Sequence, residues 1–421
     1  MGHVQDRWWK EVRDPKTGEV GRVKAPRYGV GLRYKVRYLD PDGKECSRGF
    51  PDRQKKRADD FLIEMESDKR EGKYVDPDAG KILFRVQAES WIKGYSPDAA
   101  SRQTVRSRLR SQIYPFFESK PVGSINPQLI REWLGGLQSQ NLASTYQAVL
   151  FETLSAILNS AVDDKVIHHN PCNVQSIKRP KRSPRKVVPW PEARLKALQL
   201  KLPARFGIVT SLGAGCGMRQ GEILAFSPDD IDRQEMVINV CRQLRLIGRT
   251  LVYSLPKRNK ERQVPISPGV LEAIDAYQEE YPPTAVTLPW DDPNGDPVTV
   301  NLLIVKDDGS VHSGDLFNKL VWVPAFKQAG LVYTKWRDGM HAMRHFYASM
   351  LLTQGISIKE LAEYLGHQDP GFTLRTYTHL MPSSHQRARK AVDRVFKARK
   401  TRSAPTAPPR PQVINSLDVD A

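Results

Sequence analysis

Nowhere in the 421 residues does an apolar run approach the ~20 needed to span a bilayer. The N-terminal Met1-Gly2-His3-Val4-Gln5-Asp6 carries no apolar signal-peptide core, and Asp6 stands where a myristoylation motif has Ser or Thr. Only four cysteines occur (Cys46, Cys172, Cys216 and Cys241), scattered and without a CxxC pair. That usage excludes a disulfide scaffold or zinc framework and fits buried, reduced thiols in a cytoplasmic protein. No spaced carboxylate cluster is present to hold Mg²⁺, which sets aside a metal-dependent nuclease. Asp291, Asp292 and Asp296 lack the spacing of a calcium loop, and no internal repeat is present. Acidic residues are also short: 47 Asp and Glu against 65 Lys and Arg leave a formal charge of +18. A polyanion, nucleic acid first, is the partner such a charge implies, because basic groups displace its condensed counterions.

What is present is enough apolar residue, 39%, for real cores, in a chain long enough for two or three domains. Leu32, Tyr34, Val36 and Tyr38 alternate with Arg33, Lys35 and Arg37, a strand with one apolar and one basic face. Asp40-Pro41-Asp42-Gly43 turns the chain into a second run through Cys46 and Phe50, and a polar helix follows from about Arg53 to Lys73, with Phe61, Leu62 and Met65 as its stripe. From Lys81 to Lys178 the pattern is helical. It includes an arginine-bearing stretch (Arg106, Arg108, Arg110), a helix started by Asn126-Pro127 and a longer one capped by Ser144. The proline-broken basic run from Lys178 to Lys186, with Lys181 and Arg182, reads as an extended linker able to follow a phosphate backbone. Beyond it, helices mix with short strands; Pro282 to Gly309 reads as a surface loop, and the tail after Lys400 as disordered. The boundaries expected are 1–80, 81–178, a linker at 179–188, 189–400 and a tail at 401–421.

Breaking a phosphodiester without a metal requires fixed cations for the nonbridging oxygens, an in-line nucleophile and an acid for the leaving oxygen. The last segment holds such groups in four clusters. Gly217-Met218-Arg219-Gln220-Gly221-Glu222 ends one helix and opens another, with Glu222 on the face of Arg219 to orient it. Lys257 lies at the rim of a basic β-hairpin, with Lys260 the lesser candidate. His341-Ala342-Met343-Arg344 places a histidine and an arginine on one helical face, with His345 pointing elsewhere and Phe346, Met350 and Leu351 as the buried stripe. Leu365-Gly366-His367 closes the helix from Ile358, and Thr373-Leu374-Arg375-Thr376-Tyr377-Thr378-His379 offers a tyrosine in polar surroundings that suit an exposed position. Each cluster alone has an ordinary explanation: a helix-start ion pair, a solvated hairpin tip, a chance His–Arg pair, a half-buried tyrosine.

Together, in this order, they resemble the tyrosine recombinase (phage integrase) family over about Val187 to Lys400. The resemblance implies that Arg219 and Arg344 clamp the scissile phosphate and that Lys257 protonates the 5′-hydroxyl. It further implies that His341 assists proton removal, that His367 bonds a phosphate oxygen, and that Tyr377 attacks to give a 3′-phosphotyrosyl intermediate. No metal and no nucleotide cofactor is called for. The implied fold is multidomain α+β: a small N-terminal three-stranded sheet plus helix for arm-type DNA, an all-α core-binding domain (a SAM-like helical bundle), and a mainly-α catalytic domain with a small antiparallel sheet. The implied partners are double-stranded DNA at attachment sites, three further copies in a tetramer exchanging strands through a Holliday junction, and an accessory directionality or DNA-bending factor, with no membrane and a nucleoid-associated location. The helix from Ser384 to Lys400 would pack on a neighbouring subunit. Arg33, Lys35, Arg37, Arg106, Lys181 and Arg182 are the expected DNA contacts outside the site. A type IB topoisomerase and a non-catalytic DNA-binding regulator are the rival readings.

Overall fold

The computed structural model describes residues 2–380, apart from 14, 16, 17, 96, 97, 184 and 185, and the single positions 389, 392, 393 and 396. The expected helix from Ser384 to Lys400 and the tail at 401–421 therefore lie, but for those positions, outside the described residues. The chain forms two compact units. The first is Met1–Lys186 with Leu244–Ser254 and Thr287–Val298; the second is Val187–Gln243, Leu255–Val286 and the chain from Thr299 onward.

The first unit opens with β1 (His3–Asp6), β2 (Trp9–Arg13), β3 (Val20–Lys24), β4 (Tyr34–Leu39), β5 (Glu45–Phe50) and α1 (Lys55–Arg70). β4 is central in an antiparallel sheet of order β1-β4-β5, with Val4 opposite Val36 and Arg37 opposite Ser47. The period of two holds: Tyr34, Val36 and Tyr38 are buried against Ala58, Phe61 and Met65 of α1. Leu32 lies before the strand and is 44% exposed, so it is not part of that face. β2 and β3 pair in a separate ribbon with Val12, Val20 and Val23 exposed; lacking an apolar face, it leaves no alternation to read.

The helical remainder is α2 (Phe84–Gly94), α3 (Ala99–Arg108), α4 (Tyr114–Phe117), α5 (Pro127–Ser139) and α6 (Ser144–Asp163). Asn126 caps α5 by accepting from Leu129 N at 3.0 Å. At α6 the cap position is Ala143, and Ser144 is the first helical residue, one place later than its hydroxyl suggested. Leu150, Leu154, Ile157, Leu158 and Ala161 of α6 are fully buried among Phe84, Leu109, Phe117 and Trp133. Each such large aliphatic side chain contributes roughly 1.5–3 kcal/mol by leaving water.

The second unit follows the order α7 (Glu192–Gln199), α8 (Gln220–Leu224), β6 (Ile231–Asp232), β7 (Val237–Val240), β8 (Gln243–Ile247), β9 (Thr250–Ser254), β10 (Arg262–Pro265), α9 (Pro268–Glu280), β11 (Thr284–Pro289), β12 (Pro297–Leu302), α10 (Gly314–Phe317), α11 (Val323–Gln328), α12 (His341–Thr353), α13 (Ile358–Leu365) and α14 (Pro370–Tyr377), with most of β8, all of β9 and part of β11 and β12 falling in the first unit. Its sheet runs β10-β7-β6, while β8 pairs with β9 and β11 with β12. Lys257 is thus not at the tip of a hairpin: it lies in a short turn joining β9 to β10, strands of different sheets. Pro282 to Gly309 is likewise not a bare loop, because the paired strands β11 and β12, six residues each, lie within it. In α12 the buried side chains are Ala342, Met343, Arg344, Tyr347, Ala348 and Leu352; Phe346 and Leu351 are half-buried and Met350 is 39% exposed.

No helix among the described residues is long and apolar enough to cross a membrane. All four cysteines are free; Cys172 and Cys216 are buried.

Asn170 stitches the end of the helical core: Nδ2 donates to Ser155 O (2.9 Å) and Asn159 Oδ1 (2.7 Å), and Oδ1 accepts from the buried Cys172 N (2.8 Å). Asn170→Ala removes all three and should cost about 1–3 kcal/mol, read as a lower urea midpoint for the first unit's unfolding.

Candidate active site

Two backbone requirements set the site. Gly217 has φ +63°, and a Cβ there would lie 2.4 Å from the Tyr347 ring; Gly366 has φ +60° and would meet Arg262 Cδ at 2.8 Å. The first bends the chain so that Arg219 caps α8 with an extended backbone; the second ends α13 in the left-handed conformation and turns His367 inward.

Glu222, three residues into α8, is buried and binds two arginines. Oε2 accepts from Arg219 N at 2.8 Å and Oε1 from Arg219 Nη1 at 2.7 Å, while Arg262 grips both oxygens, at 2.9 and 2.6 Å. Burial alone would raise the carboxyl's pKa; the bonds and charge of Arg262, then the charges of Arg219 and Arg344, hold it down at about 2. Arg262 Nε also donates to Tyr364 O at 2.7 Å, and Arg219 Nη2 to Leu365 O at 3.1 Å. Arg344, 1% exposed, donates to Gly217 O at 2.8 Å and to Leu365 O. Burial, then the charges of Arg219 and Arg262, push its pKa down to about 9, which leaves it charged at neutral pH.

Arg344 Nη2 lies 3.2 Å from His367 Nε2. A guanidinium only donates, so Nε2 accepts and the ring proton sits on Nδ1, which donates to Thr373 Oγ1 at 2.7 Å. Burial and then the charges of Arg344, Arg219 and Arg262 push His367 down to about 3, consistent with this neutral tautomer. Arg219, Lys257, His341, Arg344 and His367 line one cavity of about 380 Å³, together with Arg258, Gln368, Asp369, Phe372 and Arg375. Arg258, at φ +69°, reaches Gln368 Oε1 at 3.0 Å. Among the described residues no group of three His, Cys, Asp or Glu side chains is arranged to hold a metal ion.

Tyr377 is 1% exposed, not the surface residue its polar neighbours suggested, and it is not among the residues lining the cavity. Its hydroxyl lies 2.8 Å from His345 Nδ1. His345 therefore does not point away from the site, and its ring also meets His341 edge-on, with centroids 4.7 Å apart. His341 keeps an exposed edge, yet desolvation, then the charges of His345, Arg344 and Arg219, lower its pKa below the ordinary histidine value. His345 was legible: His341 and His345 are four apart, neighbours on one helical face. Arg262 was legible too, since strand alternation puts it inward with Val264 while Gln263 and Pro265 are exposed.

The candidate DNA contacts divide. Arg33 is engaged internally, with Asp6 at 2.8 Å and Asp52 at 3.0 Å, its guanidinium over the Tyr34 ring. Lys35 lies half-buried on β4, and Arg37 pairs with Glu45 at 2.8 Å. Arg106 is exposed on α3 in a hollow shared with Arg102 and Arg110; Lys181 is exposed, and Arg182 is exposed but paired with Glu152.

Glu222→Gln keeps the shape and removes the charge that separates three guanidinium groups. A depressed carboxylate stabilises the fold above its unfolded pKa and loses that effect as pH falls towards 2. The variant should lose roughly 3–5 kcal/mol at neutral pH, and urea midpoints measured between pH 5 and pH 2 should fall less steeply than in the wild type.

The Phage integrase family model matches residues 192–384. A putative prophage phiRv2 integrase of Mycobacterium tuberculosis is 24% identical over 298 residues, 70% of this chain and 74% of that protein. Among solved structures, the Tn1549 transposon integrase in complex with transposon right end DNA has a TM-score of 0.59 at 21% identity, covering 75% of this chain and all of that one. A lambda integrase tetramer bound to a Holliday junction gives 0.54 at 17%, covering 80% and 93%. The matched span contains every member of the arginine, lysine, histidine and tyrosine set described above, and over residues 192–384 the chain is similar to the phage integrase family.

Proposed function

We propose that this protein is a site-specific DNA integrase that cuts and rejoins strands through a 3′-phosphotyrosyl bond at Tyr377, integrating or excising a mobile element by way of a Holliday junction. The observation that carries this reading is the convergence of Arg219, Arg344, His367 and Lys257 on one cavity, with α12 leading from that cavity to the hydroxyl of Tyr377. Arg219 and Arg344 would hold the two nonbridging oxygens, their carbonyl and carboxylate partners fixing both forks beforehand. His367 would bond one of those oxygens, and a phosphate's negative charge would raise its pKa towards a second ring proton. Lys257, on a turn rather than a strand, would reach the 5′-oxygen as acid. The phosphotyrosyl link conserves bond energy for religation, so the cycle needs no nucleotide.

Residues 1–80 would bind arm-type DNA, 81–178 the core site, and 179–188 would link them to a catalytic domain of 189–400. Lys35, Arg37, Arg106, Lys181 and Arg182 remain the proposed phosphate contacts; Arg33 is better assigned as the brace of the first sheet, given its two aspartates. The working assembly would be a tetramer on attachment-site DNA, with an accessory directionality or bending factor.

The test is covalent trapping in EDTA on a half-site duplex selected from a randomised pool and carrying a 5′-bridging phosphorothiolate. A protein–DNA adduct on a denaturing gel is expected from the wild type and none from Tyr377→Phe, which should still bind. Binding without an adduct in the wild type would turn the assignment towards a regulator. Lys257→Ala should form adduct about 10²–10⁴-fold more slowly with an oxygen leaving group and near the wild-type rate with sulfur, which leaves without a proton.

A further inference from the structure

The nucleophile of such a reaction must lose a proton, and among the described residues the structure gives that proton one place to go. Among the described residues, the Tyr377 hydroxyl has a single hydrogen-bonding partner, His345 Nδ1, at 2.8 Å. The hydroxyl is protonated at neutral pH: burial pushes it up to about 12 against the pull of Arg344 and Arg219. The imidazole is neutral: burial, then the charge of Arg344, push it down to about 4. Between a protonated phenol with no other acceptor and a neutral imidazole, the bond runs from the hydroxyl to an unprotonated Nδ1. His341, by contrast, faces the cavity and touches only the edge of the His345 ring.

We propose that His345 is a catalytic residue, the proton acceptor for Tyr377. As Oη bonds to the scissile phosphorus and the bond from phosphorus to the 5′-oxygen breaks, the hydroxyl proton passes to Nδ1 and Lys257 supplies a proton to the departing oxygen. On religation both protons return. The transfer belongs to the attack itself: a phenol oxygen bonding to phosphorus becomes acidic, whereas the free phenol does not ionise against so weak a base. α12 then serves both halves of the chemistry, with Arg344 on the phosphate and, one residue on, His345 on the nucleophile. This assignment rests on the integrase reading above, and adduct formation by the wild type tests that reading separately.

The discriminating variant is His345→Asn, whose Oδ1 accepts a hydrogen bond from a position close to that of Nδ1 but takes no proton. Adduct formation is timed on the selected duplex with oxygen and with sulfur as the leaving atom, and binding is measured alongside. The expected result is a fall of at least about tenfold on both substrates with binding retained, because sulfur relieves the acid and not the base. A rate within tenfold of wild type, or a deficit that sulfur repairs, overturns the proposal. If His345→Asn does not bind the duplex, His345→Gly supplied with free imidazole takes its place. Recovery of the adduct with imidazole supports the assignment, and no recovery in a variant that binds overturns it.

Discussion

The Glu222 carboxylate, buried between Arg219 and Arg262, is the contact on which the remainder of the site depends. Two like charges about 4 Å apart repel by about 4 kcal/mol at the effective dielectric of a protein surface, and by more where water is excluded. Three guanidinium groups at this centre would disperse without a counter-charge, and Glu222 is, among the described residues, the carboxylate that grips two of them. Position follows from the same contact. Arg262 reaches from β10 to Glu222 and to the Tyr364 carbonyl, and Arg219 and Arg344 both reach the Leu365 carbonyl. The end of α13 is therefore fastened to α8, β10 and α12 together, and His367, two residues beyond Leu365, is placed by the same fastening.

The glycines belong to this logic. At Gly366 a side chain would strike Arg262, and at Gly217 it would strike Tyr347, three residues beyond Arg344 on α12. Both positions also need the left-handed conformation that glycine adopts without strain. What reads in sequence as a helix stop is also a clearance for the second arginine of the Glu222 pair.

Elements whose burial follows a simple period were legible in the sequence: β4 through Tyr34, Val36 and Tyr38, and α6 through its apolar repeat; α13 was legible through its Gly366 stop. The cavity-lining arginines and their neighbours were legible because their spacing is local: Arg219 with Glu222, His341 with Arg344. What escaped was long-range. The polarity around Tyr377 describes neighbours in the chain, whereas its burial is decided by α12, 32 residues away at His345. The turn bearing Lys257 looked like a hairpin because apolar runs flank it, yet its two strands pair elsewhere, β9 with β8 and β10 with β7. The pairing partner of a strand is a tertiary choice that flanking hydrophobicity does not encode.

The histidines show how the centre tolerates its excess of positive charge. Arg219, Arg262 and Arg344 stand against one buried carboxylate, with Lys257 and Arg258 at the cavity wall, and His341, His345 and His367 respond by staying neutral. A phosphodiester in the cavity would reverse that balance, since a negative charge beside an imidazole favours its protonated form. Under the proposed function, the groups that would donate to phosphate oxygens or receive the phenol's proton would become more basic once the anion is in place. On that reading, the same cations that would bind the backbone hold the histidines neutral until it arrives. A tyrosine kept protonated, buried and hydrogen-bonded is the corresponding state on the nucleophile's side. Binding and chemistry would then be coupled through charge.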